Sequence, residues 1–217
     1  MKHLKIIGIA AVAAMAMMAV VGAGTASATT KLCAKVDGQQ ANGCPAGKKE
    51  PGNNVHIEAK STNATLTSSI TNVICEESAT TLHADTSTPV GQATTITGAV
   101  TALSFGKCKT SGGTACTVQV IGLEAGGTYP GHIEGTVDGL TDTSRLQVTG
   151  GKAKVVCGFL INCTFSTASA VLDGVNGSPT TFTANKVKLS SEGGFCPATS
   201  EWDAVYSVVT PEGLTIH

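Results

Sequence analysis

Apolar residues alternating with polar ones in steps of two, between closely spaced turn signals, constrain this chain most. Val55, Ile57 and Ala59 alternate with His56, Glu58 and Lys60, and Ile133 and Val137 alternate with His132, Glu134 and Thr136. Successive side chains of a strand point to opposite faces, so each segment reads as a strand with one apolar and one wet face. Asp37-Gly38, Pro51-Gly52, Gly126-Gly127, Asp138-Gly139, Gly150-Gly151, Asp173-Gly174, Asn176-Gly177 and Gly193-Gly194 read as turns between such strands. Further strands are expected over 64 to 75, 79 to 84, 93 to 106, 116 to 123, 144 to 149, 152 to 159, 162 to 172, 180 to 190 and 201 to 210. Within 93 to 106 the apolar phase passes from Ile96 and Val100 to Leu103 and Phe105, which predicts a bulge or break near Ala102. After residue 28 no segment keeps a 3.6-residue apolar period over three turns. The expected fold is all-β: a disulfide-stapled antiparallel β-sandwich or flattened barrel of about 10 to 12 short strands.

Residues 1 to 28 stand apart. Lys2, His3 and Lys5 precede an apolar run from 6 to 22, and Ala26-Ser27-Ala28 supplies a small-x-small cleavage pattern, so 1–28 reads as an export signal and 29–217 as a single all-β domain. No basic stop-transfer flank follows, and Thr30-Lys31-Leu32 before Cys33 lacks the small residues of a lipid-attachment signal. The expected product is secreted and extracellular, without a membrane anchor after cleavage. Losing Lys2 and Lys5 takes the formal net charge from −1 to −3, too small a field to capture nucleic acid or an anionic membrane. Residues 29 to 217 carry 30 Thr and 23 Gly, and Thr suits solvent-facing strand positions. Thr-x-Thr begins at 65, 86, 95, 141 and 181, intervals too unequal for the fixed rung of a solenoid.

All eight cysteines follow the signal: Cys33, Cys44, Cys75, Cys108, Cys116, Cys157, Cys163 and Cys196. An even count in an exported chain argues for disulfides, and the absence of any C-x-x-C argues against zinc. Three sequence-local couples flank Gly- or Asn-bearing turns, so Cys33 is expected to pair with Cys44, Cys108 with Cys116 and Cys157 with Cys163. Cys75 is then left to pair with Cys196 across a loop of about 120 residues, worth about 4 to 5 kcal/mol in the chain-entropy model.

The sequence contains no G-x-S-x-G and no H-E-x-x-H, so neither a serine nor a zinc hydrolase is signalled. His-Ile-Glu occurs twice, at His56 to Glu58 and His132 to Glu134, and each copy puts an imidazole and a carboxylate on one strand face. Four such ligands could hold a metal. All four, however, are out of phase with Ile57 and Ile133, so they read as solvated positions and no metal site is expected. His83 and His217 have no partner in sequence. Glu76-Glu77 should alternate sides of a strand, whereas Glu201 and Asp203 share a face beside Trp202. Trp202 heads the run Trp202, Ala204, Tyr206, Val208 and reads as core. Asn63, Asn162 and Asn176 open N-x-S/T triplets, expected by chance in a Thr-rich chain.

Val155-Val156-Cys157-Gly158, Ile161-Asn162-Cys163-Thr164-Phe165, Gly194-Phe195-Cys196-Pro197 and Trp202-Asp203-Ala204-x-Tyr206-x-Val208, with Leu32-Cys33 and the stretch from Gly98 to Cys108, resemble a group of small exported actinobacterial proteins of unknown function. The resemblance implies architecture and supplies no active site to transfer. No catalytic residue and no cofactor are expected. The leading functional expectation is a secreted, non-catalytic β-domain that binds an extracellular partner or ligand through its surface or loops. Two alternatives stand beside it: a carrier of a small apolar ligand, distinguished by a lined cavity in place of a filled core, and a secreted hydrolase, distinguished by a clustered set of ionisable groups.

Overall fold

The computed structural model describes residues 30–35, 44, 47–49, 54–85, 95–123, 126–136, 143–176, 179–193 and 196–216. The expected export signal 1–28, Asp37-Gly38, Pro51-Gly52, Val137, Asp138-Gly139, Gly177, Gly194 and His217 lie outside them. Among the described residues there are thirteen strands: β1 (Leu32–Lys35), β2 (Lys48–Lys49), β3 (Val55–Ser61), β4 (Ala64–Ser68), β5 (Val73–Asp85), β6 (Thr95–Thr110), β7 (Ala115–Val120), β8 (Tyr129–Thr136), β9 (Thr143–Cys157), β10 (Ile161–Val175), β11 (Thr181–Glu192), β12 (Thr199–Thr210) and β13 (Thr215–Ile216). The fold is all-β, as the alternation requires.

Ten of these strands close into one antiparallel barrel of eight staves. β3 and β4 run in line along β5, with Val55 opposite Ala84 and Leu66 opposite Val73, so together they form one broken stave. β7 and β8 form a second, both lying against β9. Each stave then pairs with its sequence neighbours, and β12 returns to β3 and β4 to complete the cylinder. This is an up-and-down barrel, the closed member of the expected pair of architectures. Closure joins the last stave to the first, while among the described residues β6 has no ladder partner on its β7–β8 side over 101–107.

The staves run longer than the short strands expected, because two Gly-bearing turn signals lie inside strands. Gly150 adopts φ +69° while β9 continues along β10, with Thr149 opposite Ser169 and Gly151 opposite Thr167. Asp173 and Gly174 stay in the β10 ladder opposite Thr183 and Phe182, and a Cβ on Gly174 would lie 2.1 Å from the Ser144 hydroxyl and 3.0 Å from the Phe182 ring. That glycine therefore serves close packing inside the barrel. The anticipated phase shift in β6 is present: Thr81 faces Ala102 and Leu82 faces Val100, so Thr101 is the extra residue of a bulge.

Inward positions are apolar, Ile57, Leu82, Val100, Leu146, Phe165, Leu172, Phe182 and Tyr206 among them, whereas His56, Glu58, Lys186 and Lys188 face out. A three-stranded sheet in the order β13, β1, β2 covers one end of the barrel. Leu32, Leu214 and Ile216 pack in the same core as the staves and are at most 2% exposed. Asn176, in the β10–β11 turn, accepts from the Ile216 amide at 2.9 Å and donates back to its carbonyl, and the Thr180 hydroxyl donates to the Leu214 carbonyl. The Asn176 side chain is thus committed to holding this cover.

The pairing of the cysteines corrects three of the four expected bridges. Cys33–Cys44 forms as expected, but the others are Cys75–Cys108, Cys116–Cys157 and Cys163–Cys196, and no described cysteine is free. Cys75, Cys108, Cys116 and Cys157 are directly opposite one another on successive staves, a single rung of four thiol positions. Cys108 is therefore a neighbour of both Cys75 and Cys116; register admits either partner, and the bridge formed is the one to Cys75, across the longer sequence separation. These three bridges gather at the barrel end opposite the terminal sheet. Four disulfides are consistent with an oxidising environment.

The bridges of the barrel end close separations of 33, 41 and 33 residues, against 11 for Cys33–Cys44. Replacing both cysteines of any barrel-end pair by serine should lower the unfolding free energy by about 3 to 4 kcal/mol, and of the Cys33–Cys44 pair by less, about 2 to 3 kcal/mol. Urea titrations of the four double variants test this ordering. A Cys75 and Cys196 variant that behaves as a single missing bridge would contradict the pairing.

Candidate functional site

An apolar cavity of ≈ 160 Å³ occupies the middle of the barrel and its disulfide-bearing half. At the covered end Val55, Ile96, Ile133 and Val208 are closely buried with Leu32 and Ile216. Toward the other end several inward side chains are only half-buried, among them Leu66, Val118, Leu189 and Trp202, beside the buried Val73, Val155 and Phe165. An eight-stave barrel has an interior just wide enough for side chains to fill, or to hold one small molecule when they are small. Here Ala59, Ala64, Ala153 and Ala170 line the space, and none of them reaches the barrel axis.

Apart from the Trp202 indole nitrogen, the side-chain polar groups along the cavity are satisfied by the protein. Tyr206 is 2% exposed and its hydroxyl is 2.7 Å from that of Ser78, which in turn lies 2.9 Å from the Ser104 carbonyl. Ser78 donates to that carbonyl, so Tyr206 donates to Ser78. Burial pushes the Tyr206 phenol up to about 12, only partly offset by the bond to Ser78. The Tyr129 hydroxyl engages the Ile121 and Lys152 carbonyls, and Thr80 and Thr167 donate to the Ala102 and Ser169 carbonyls. Lys152 extends its ammonium to Glu192 at 3.4 Å. Trp202 stacks edge-on against Tyr206, ring centres 6.1 Å apart, and its buried indole nitrogen has no hydrogen-bond partner among the described residues. The cavity wall therefore presents hydrocarbon and aromatic faces, with neither a charge nor an accessible hydrogen-bonding group to orient a polar reactant.

The structure separates the residues that the sequence singled out. His56 and His132 lie on β3 and β8, three strand spacings apart round the barrel, or about 14 Å. The two His-Ile-Glu copies consequently share no site. His56 instead meets His83, the histidine without a partner in sequence: they face each other across the β3–β5 ladder, with Nδ1 3.2 Å from Nε2. The other His56 nitrogen is 3.0 Å from Glu58, and both side chains are 45% exposed. No cluster of three or more His, Cys, Asp or Glu suited to a metal occurs among the described residues.

Glu76 and Glu77 both face outward, contrary to the expected alternation. Each meets a lysine of β6: Glu76 pairs with Lys109, and Glu77 with Lys107, which has a positive φ of 50°. The Lys109 ammonium donates to Glu76 and holds its carboxyl below the usual range, and Glu77 likewise raises Lys107. Asp203, beside Trp202, accepts from the Lys186 amide at 2.9 Å and stabilises the irregularity between Ala184 and Val187. These carboxylates have structural partners and lie outside the cavity.

No family model matches the chain, and neither a curated protein nor a solved structure does. The cavity was missed by sequence reasoning. Its signal was the run of alanines on inward positions of several staves, which becomes meaningful only once those staves close on one another.

Tyr206 supplies a test of the wall. Its pKa is higher in the folded protein than in the unfolded chain, so the contribution to stability is full below about pH 10 and is lost as pH rises toward about 12. Absorbance at the phenolate band should show one of the two tyrosines ionising only as the protein unfolds. Ser78→Ala removes the acceptor of a buried hydroxyl and should cost about 1 to 3 kcal/mol in a denaturant titration.

Proposed function

We propose that the protein is an exported carrier of a small, uncharged, apolar molecule held inside the barrel. The single observation that supports this reading is the lined cavity, where the sequence could equally have encoded a filled core. Its volume is comparable to the roughly 150 Å³ apolar cavities that stay dry and accept a benzene-sized guest. Because the wall offers no charge, and the Trp202 indole N–H is its one unpaired polar group among the described residues, binding is driven by removal of apolar surface from water, and a ligand that carries a charge into the cavity is rejected by desolvation. Suitable guests are compact hydrocarbons: a small aromatic, a short terpene skeleton or the end of an alkyl chain. The outer surface, with its paired charges and Thr-rich strands, agrees with a protein released into an oxidising extracellular medium. This carrier reading is preferred to surface or loop recognition because it accounts for the alanines lining the cavity.

Trp202 is the only tryptophan and lines the cavity, so it reports on occupancy. Titration with naphthalene should change its emission saturably, with one guest per chain. Ala153→Phe places a ring in the space and should weaken naphthalene binding by about tenfold or more while leaving the melting temperature equal or higher. Emission that does not saturate, or equal affinity in the variant, would refute the carrier reading.

A further inference from the structure

The four turns at the disulfide-bearing end form the rim of the half-filled side of the barrel. They connect β4 to β5, β6 to β7, β9 to β10 and β11 to β12. The β9–β10 turn projects Phe159 and Leu160, 106% and 89% exposed, immediately beyond the rung of cysteines. On the β4–β5 turn Ile70 is 57% exposed. These two turns are four staves apart in a ring of eight, so the apolar tips stand on opposite sides of this end of the barrel. The described residues of the four turns, 69–72, 111–114, 158–160, 193 and 196–198, include no charged side chain. Close below them, Lys109 and Lys107 are neutralised by Glu76 and Glu77, and Lys152 by Glu192.

Large apolar side chains exposed in full at turn tips cost solubility, and they persist where a surface is to be met. Here the surface must suit an uncharged ring of Ser, Thr, Asn and Gly with an aromatic and two aliphatic tips, all pointing the same way along the barrel axis. That pattern fits the boundary between headgroups and acyl chains, where aromatic and aliphatic tips insert and hydroxyls meet headgroups. Disulfides Cys116–Cys157 and Cys163–Cys196 flank the β9–β10 turn and hold its tips out, so little ordering is needed on contact.

We propose that this rim docks reversibly on a bilayer of zwitterionic lipid, through Phe159, Leu160 and Ile70, with the disulfide-bearing end of the barrel turned to the acyl chains. The proposal extends the carrier reading, since docking would let an apolar guest pass between membrane and barrel without crossing water. It differs from an anchor: three side chains insert, and charge plays no part.

Flotation of the protein with phosphatidylcholine vesicles tests it. The protein should float with the vesicles, to the same extent at low and high salt, and adding phosphatidylglycerol should not increase the bound fraction. Phe159→Ser with Leu160→Ser should lower the partition coefficient about tenfold or more, and Ile70→Ser by less, without loss of folding, because these side chains pack against little. Wild-type protein that stays with the aqueous phase overturns the proposal, as does a double variant that floats undiminished, strict dependence on anionic lipid, or an apolar rim covered by a second copy in sedimentation analysis. Naphthalene uptake measured without vesicles separates the two readings: uptake without flotation leaves the carrier standing and removes the docking surface, whereas flotation without uptake does the reverse.

Discussion

Everything in this structure depends on the hydrogen bonds that join the last stave to the first. β12 pairs with β4 from Ser200 opposite Ser68 to Ala204 opposite Ala64, and with β3 from Ser207 opposite Lys60 to Thr210 opposite Glu58. Without them the strands would be an open meander with two bare edges and an apolar face turned to water. With them the apolar face becomes an interior, and the period-two alternation of each strand acquires a single meaning: inside or outside. Closure between segments separated by over 130 residues carries a large chain-entropy cost. The three bridges at the far end and the terminal sheet at the near end both reduce the freedom left to the unfolded or partly opened barrel.

The two ends are built differently, and the difference bears on function. At one, Leu32, Leu214 and Ile216 fill the barrel, and Asn176 and Thr180 tie the cover to the β10–β11 turn through backbone carbonyls and amides. At the other, rigidity comes from sulfur, so side-chain filling is not required to hold the staves together. A barrel stapled covalently at its mouth can leave its axis empty without collapsing. The half-buried Trp202 and the uncharged rim lie on that side, and the cavity extends into it from the middle of the barrel. The carriage of an apolar guest and the contact with a lipid surface that we propose both rest on this one asymmetry.

Much of the fold was legible residue by residue. The alternation at Val55 to Lys60, the bulge implied by Val100 and Leu103, and the inward run Ala204, Tyr206, Val208 follow from the two-residue period, which is a local property of the backbone. Turn signals were less informative. Gly150 and Gly174 read as breaks because glycine permits positive φ and lacks a side chain, yet one relieves a local twist in β9 and the other makes room for Ser144 and Phe182. The candidate site was scarcely legible. Alanine at 59, 64, 153 and 170 reads in sequence as an ordinary inward residue of a strand, and nothing in one strand shows what faces it across the axis.

The sequence by itself determined the class of fold, the wet and dry faces of most strands, though not at Glu76 and Glu77, and the even number of thiols, because all three follow from residue type and near spacing. Only the tertiary structure decided that Cys108 meets Cys75 and not Cys116, that His56 meets His83 and not His132, and that the barrel keeps a cavity. The last two outcomes depend on register between staves and on the circumference at which the sheet closes; in the first, register sets two candidate neighbours beside Cys108, and Cys75 is the one it meets. Register and closure are set jointly by all eight staves, and no single segment carries them.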